Sequence, residues 1–286
     1  MRLIPSTGGV RVAVHDLGGP ADEAAPLLLF SHATGFCGQV WEPVAALLRR
    51  RYRCIALDYR GHGMSDTPPG APLVWSAMGD DAESVLGSDL IGTDRRVHGI
   101  AHSMGGAALV LAAARRPGAF RSLWLYEPVI VAPGVLPPSG TPNPMAEAAL
   151  RRRRTFDSFD EAAANFAAKP PLDELHPDAL RAYVRGGFVP RPDGRVELRC
   201  PPSTEAAVFR GAAESGAWEA LAALDLPVAL VVGRHEEYGP VAFAPRALTR
   251  LTSGALFERR HLGHFGPLED PAGTARDIGA WVEANS

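Results

Sequence analysis

The stretch Gly99-Ile-Ala-His-Ser-Met-Gly-Gly106 decides the fold. Val97–His102 reads as a strand running into Ser103. Ser103–Arg116, rich in Ala and Leu, reads as a helix that stops at Pro117-Gly118. A side chain held at so tight a strand-to-helix turn needs small neighbours two residues away on each side, because the backbone crowds there. Ala101 and Gly105 meet that need, in a variant of G-x-S-x-G with alanine replacing the first glycine. The start of the helix also favours negative charge developing beside Ser103. The competing reading is a serine that only caps the helix.

Outward from this stretch, short apolar runs alternate with helical segments, the pattern of a mostly parallel sheet covered by helices on both faces. Strands are expected at Val10–Leu17, Pro26–Ser31, Tyr52–Asp58, Ser122–Tyr126, Val228–Val232 and Ala255–Arg259. Pro26–Ser31 is continuously apolar, as a strand buried on both faces should be. Helices are expected at Gln39–Arg50, Leu73–Leu86, Val241–Leu251 and Thr274–Glu283. Residues 133–224 break the alternation. They hold proline-rich segments between helical pieces such as Met145–Thr155 and Ser158–Ala168, with no convincing buried strand. They read as a helical cap inserted before the penultimate strand, leaving 1–132 and 225–286 as the core.

Two loops carry further chemistry. Phe30-Ser-His-Ala-Thr-Gly-Phe36 follows a buried strand and can aim a backbone N–H at a carbonyl oxygen. One such donor can be worth ~2.7–4 kcal/mol in a transition state. Thr34 and Met104 are the expected oxyanion-hole donors, and His32 is expected to brace the loop by hydrogen bonding. His261-Leu-Gly-His-Phe-Gly-Pro-Leu-Glu-Asp-Pro271 follows the last strand. His264, after Gly263, is the expected general base, and His261 is its competitor.

Taken together, Ser31–Trp41, Asp58-Tyr-Arg-Gly-His-Gly-Met-Ser65, Gly99–Gly106 and Gly263–Pro271 resemble, in order, the motifs of the α/β-hydrolase family in its capped subgroup. The family pattern has His-Gly where this chain has His32-Ala33, and Gly where it has Ala101. The resemblance implies a cofactor-free serine hydrolase: Ser103 as nucleophile, His264 as base, and an acid after the penultimate strand. Glu236, three residues beyond Gly233, stands at the usual place. Its neighbour Glu237 could replace it, and Glu127, after the strand Ser122–Tyr126, is the alternative acid. The Asp58–Ser65 stretch resembles a structural loop of the family. An ester of a small molecule is the default substrate. Lactonase, thioesterase, acyltransferase or C–C bond hydrolase chemistry would use the same residues, and a non-catalytic receptor of the same fold is the rival from another class.

Bulk properties fit this reading. The 286 residues are 46% apolar and 21% charged, enough for a large core, and the net charge of −3 gives no reason to expect nucleic acid or an anionic membrane as partner. Cys37, Cys54 and Cys200 have neither metal-binding nor disulfide spacing, so no metal is expected. No signal-peptide pattern or apolar span appears, which points to the cytoplasm. The run Arg151–Arg154 reads as a solvated helix face. Oligomeric state is not encoded legibly.

Overall fold

The computed structural model describes all residues except Glu23, Thr93, Asp94, 136–140 and 236–238, and except the side chains of Ala213 and Glu214. Strands β1 (Arg2–Pro5), β2 (Arg11–Gly18), β3 (Leu27–Ser31), β4 (Arg53–Asp58), β5 (Val97–His102) and β6 (Phe120–Tyr126) precede the cap. Within it lie β7 (Thr155–Phe156), β8 (Phe188–Pro190) and β9 (Val196–Leu198). After it come β10 (Val228–Val232) and β11 (Gly254–Glu258). The central sheet runs β1-β2-β4-β3-β5-β6-β10-β11. The first three strands pair antiparallel and the rest parallel.

Alternation along each strand divides the core. Leu27, Leu29, Ile55, Leu57, Leu123 and Leu125 face one side, where helices Trp75–Leu86 and Met104–Arg115 pack together. Leu28, Phe30, Ala56, Ile100, Trp124 and Val231 face the other, under helices Glu42–Leu48 and Pro271–Ala284. A strand sandwiched this way has no polar face, which is why β3 is apolar throughout. The expected core strands are present with ends shifted by a residue or two. The expected helix Gln39–Arg50 splits into a 3-10 turn, Gly38–Trp41, and Glu42–Leu48, with Pro43 in the first turn of the second piece.

The insertion is only partly the helical cap expected. Helices Pro144–Leu150, Phe159–Ala167, Pro177–Gly187 and Pro202–Arg210 are joined by an antiparallel sheet of order β7-β9-β8. Its strands are two or three residues long, too short to leave a period in the sequence. Phe156, Phe166, Tyr183 and Phe188 form its aromatic centre, with ring centroids 5.6–6.3 Å apart. The arginine run is also corrected. The helix ends at Leu150, so Arg151–Arg154 lie on irregular backbone, and Arg152 turns inward. Among the described residues, no helix is long and apolar enough to cross a membrane.

Candidate active site

Parallel pairing brings the carboxyl ends of β5, β6 and β10 side by side, with His102 opposite Tyr126 and Tyr126 opposite Val231. The residues that follow are stitched together: Ser103 N–H donates to the Tyr126 carbonyl at 3.0 Å, and Glu127 N–H to that of Val231 at 2.7 Å. Ser103 has φ 56° and ψ −121°, and Glu127 has φ 41°. Both are costly backbone states for residues with side chains, and such strain collects at functional sites. The small neighbours of Ser103 have a steric reason. A Cβ on Gly105 would lie 2.7 Å from the His32 carbonyl and 2.8 Å from that of Ser31, whereas Ala101 fits fully buried within β5.

The chain of contacts is short. His264 Nδ1 donates to Glu127 Oε2 at 2.6 Å, which leaves Nε2 as the lone-pair nitrogen, 3.2 Å from Ser103 Oγ. Glu127 is buried, and its Oε1 accepts the Gly233 N–H at 2.8 Å. Both of its oxygens are therefore engaged. Of the expected residues, Ser103, His264 and the alternative acid Glu127 come together. The expected acid Glu236 and its neighbour Glu237 lie outside the described residues; among the described residues the carboxylate bonded to His264 is that of the alternative acid, Glu127. The competitor His261 makes no contact with Ser103 among the described residues.

The expected oxyanion loop is braced by two histidines. His32 donates from Nδ1 to the Ala33 carbonyl at 2.7 Å and accepts the Tyr59 N–H on Nε2 at 3.1 Å. His62, in the Asp58–Ser65 loop, donates from Nδ1 to the Arg60 carbonyl at 2.9 Å and accepts the Gly35 N–H at 3.1 Å. The two loops thus clasp each other on either side of Thr34. Burial drives the pKa of His32 down to about 3, helped by the neighbouring His62, and burial lowers His62 as well. Both stay neutral, as the acceptor role of Nε2 requires. Among the described residues, neither the Thr34 nor the Met104 N–H has an acceptor in the protein.

Several positioning residues escaped the reading of the sequence. His102 Nε2 donates to the His264 carbonyl at 2.7 Å, its ring 4.9 Å from that of His264. Burial, reinforced by that neighbour, pushes the His102 pKa well below the usual range. A neutral ring can sit beside His264 without opposing its protonation. Gly263 is held from both ends: its N–H donates to Glu269 Oε2 at 2.7 Å and its carbonyl accepts from Tyr126 OH at 2.8 Å. His102 lies inside the serine motif and Glu269 inside the His264 loop, but nothing in either sequence pattern reveals their partners.

This constellation on this sheet defines a class. The model of the "Alpha/beta hydrolase family" matches residues 28–277, and the chain belongs to that family. Proteins named as hydrolases, and others named as a probable oxidoreductase, are similar to it in sequence. A "2-(acetamidomethylene)succinate hydrolase" from Mesorhizobium japonicum is 31% identical over 197 residues, covering 66% of this chain and 63% of that protein. A "Probable oxidoreductase EphD" from Mycobacterium tuberculosis is 34% identical over 119 residues, covering 41% of this chain and only 19% of EphD. The crystal structure of an E-2-(acetamidomethylene)succinate hydrolase superposes with a TM-score of 0.76 at 23% identity. That match covers 99% of this chain and 98% of the other, a likeness of fold.

Proposed function

We propose that this protein cleaves a carboxylic ester or related acyl bond of a small molecule through an acyl-enzyme on Ser103. The observation that carries the reading is the hydrogen-bonded chain from Ser103 Oγ through His264 to Glu127, beside two N–H groups that have no protein acceptor among the described residues. In the first step Ser103 Oγ attacks the carbonyl carbon and His264 Nε2 takes the hydroxyl proton. The buried Glu127 carboxylate stabilises the resulting imidazolium and holds its orientation. The Thr34 and Met104 N–H groups, both on buried residues, receive the oxyanion. His264 returns the proton to the leaving oxygen. It then takes a proton from water, whose oxygen attacks the acyl carbon, and gives that proton to Ser103 Oγ as the acyl–Oγ bond breaks, releasing the carboxylic acid and the free enzyme.

A panel of p-nitrophenyl esters tests this reading. Wild-type protein is expected to turn them over. Ser103→Ala and His264→Ala, each folded by circular dichroism, are expected to lose at least about 10³-fold in kcat. A wild-type protein inert to the whole panel, or a Ser103→Ala variant with undiminished turnover, would overturn it.

A further inference from the structure

A cavity of about 400 Å³ is lined mostly by cap residues and reaches the oxyanion loop at Thr34. Thr34 and Phe265, the latter next to His264 in sequence, are among its lining, and Phe156, Phe166 and Tyr183 contribute aromatic surface. The rest of its lining is lopsided in charge: Arg151, Arg152, Arg153 and Lys169 face a single carboxylate, Glu205. Arg153 spends its charge on Glu161, 2.6 Å away, and Arg152 on Glu205. Among the described residues, Arg151 and Lys169 have no carboxylate partner; Lys169 Nζ donates to Asn165 Oδ1 at 2.6 Å. The cavity therefore carries two uncompensated positive charges.

Arg152 is the ordered element. Its side chain is 19% exposed, pinned by the buried Glu205 carboxylate and by the Tyr183 hydroxyl at 2.5 Å, with the guanidinium over the Phe166 ring at 5.6 Å. A Cβ on Gly35 would lie 3.2 Å from Arg152 Nη1, so the guanidinium packs against the backbone next to Thr34. Glu205 and Tyr183 occupy only two of the five guanidinium N–H donors. A guanidinium locked in place with donors to spare is pre-organised for a second oxygen anion. A neutral acyl chain would leave those donors unmet.

We infer that the cavity receives an acyl group bearing a carboxylate, which Arg152 hydrogen-bonds while Arg151 and Lys169 supply attraction at the rim. The inference rests on the acyl-enzyme reading of Ser103 and names its substrate class: short acyl chains with a distal carboxylate, in place of plain alkanoyl esters.

The test compares mono-p-nitrophenyl adipate with the p-nitrophenyl ester of adipamic acid, its neutral isostere, after subtracting spontaneous hydrolysis. Wild-type protein is expected to favour the anionic ester by about ten- to a hundredfold in kcat/KM, as one or two charge-assisted hydrogen bonds would give. The preference is expected to shrink with added salt. It should fall several-fold in Arg151→Gln/Lys169→Gln, whose substituted side chains are exposed. It should approach unity in Arg152→Gln/Glu205→Gln, which removes both members of the buried pair and so leaves no orphaned charge. Turnover of both esters at equal kcat/KM by wild-type protein would overturn this inference and leave the Ser103 reading standing. Inertness to both would overturn the two together.

Discussion

Glu127 Oε2 lies 2.6 Å from His264 Nδ1, while Glu127 Oε1 accepts the Gly233 N–H at 2.8 Å. One carboxylate thus ties the end of β6 to the end of β10 and holds the imidazole between them. Glu127→Gln keeps the size and the Gly233 contact but presents an amide N–H to Nδ1 or loses the bond, favouring the wrong tautomer. It is expected to reduce kcat by up to about 10⁴-fold with little loss of thermal stability. Glu236→Gln is expected to stay within about tenfold of wild type. Turnover of both purified variants on one activated ester checks this, and a severe loss in Glu236→Gln alone would contradict it.

The contact of Glu127 with His264 is not legible from spacing along the chain. It depends on φ 41° at the strand end, which turns the side chain toward the loop after β11. No residue pattern announces that angle in a glutamate. Spacing after Gly233 pointed to Glu236 because a loop position can be counted, while the reach of a side chain cannot. Ser103 and His264 were legible because their motifs encode steric needs, such as the small residue at 105. The β5–turn–helix unit was legible for the same reason. The inward turn of Arg152 was not: a run of four arginines has no period, and its partners Glu205 and Tyr183 lie 53 and 31 residues away.

The tight turn at Ser103 makes Gly105→Ala a sharp probe. The added methyl would press on the Ser31 and His32 carbonyls, both backbone atoms that cannot swing aside. We expect a stability loss of roughly 1–3 kcal/mol from overpacking, and a fall in kcat, because the loop carrying Thr34 must shift. Urea unfolding together with ester turnover measures both. Unchanged stability with unchanged kcat would show that the loop does not bear on the turn as described.

Buried neutral histidines give stability a pH dependence of definite sign. Burial lowers His32 to about 3, and burial with the nearby Arg121 and Arg96 lowers His98 to about 4; His102 and His62 shift the same way. Below about pH 6.5 the unfolded chain binds protons on these rings that the native protein does not, so stability falls as pH falls, down to the native pKa values. Urea midpoints measured from about pH 7.5 to about pH 5 are expected to decline steadily below about pH 6.5. A flat profile would mean that these rings protonate in the native state.

Ser103, on its strained turn, is the proposed nucleophile, served by His264. Intact-mass and peptide mass spectrometry after treatment with a fluorophosphonate tests it most directly, since the reagent needs an activated serine and no knowledge of the substrate. A single adduct is expected, on Ser103, absent from Ser103→Ala and strongly slowed in His264→Ala. Labelling that persists in a folded Ser103→Ala variant, or an adduct mapped to another residue, would contradict it.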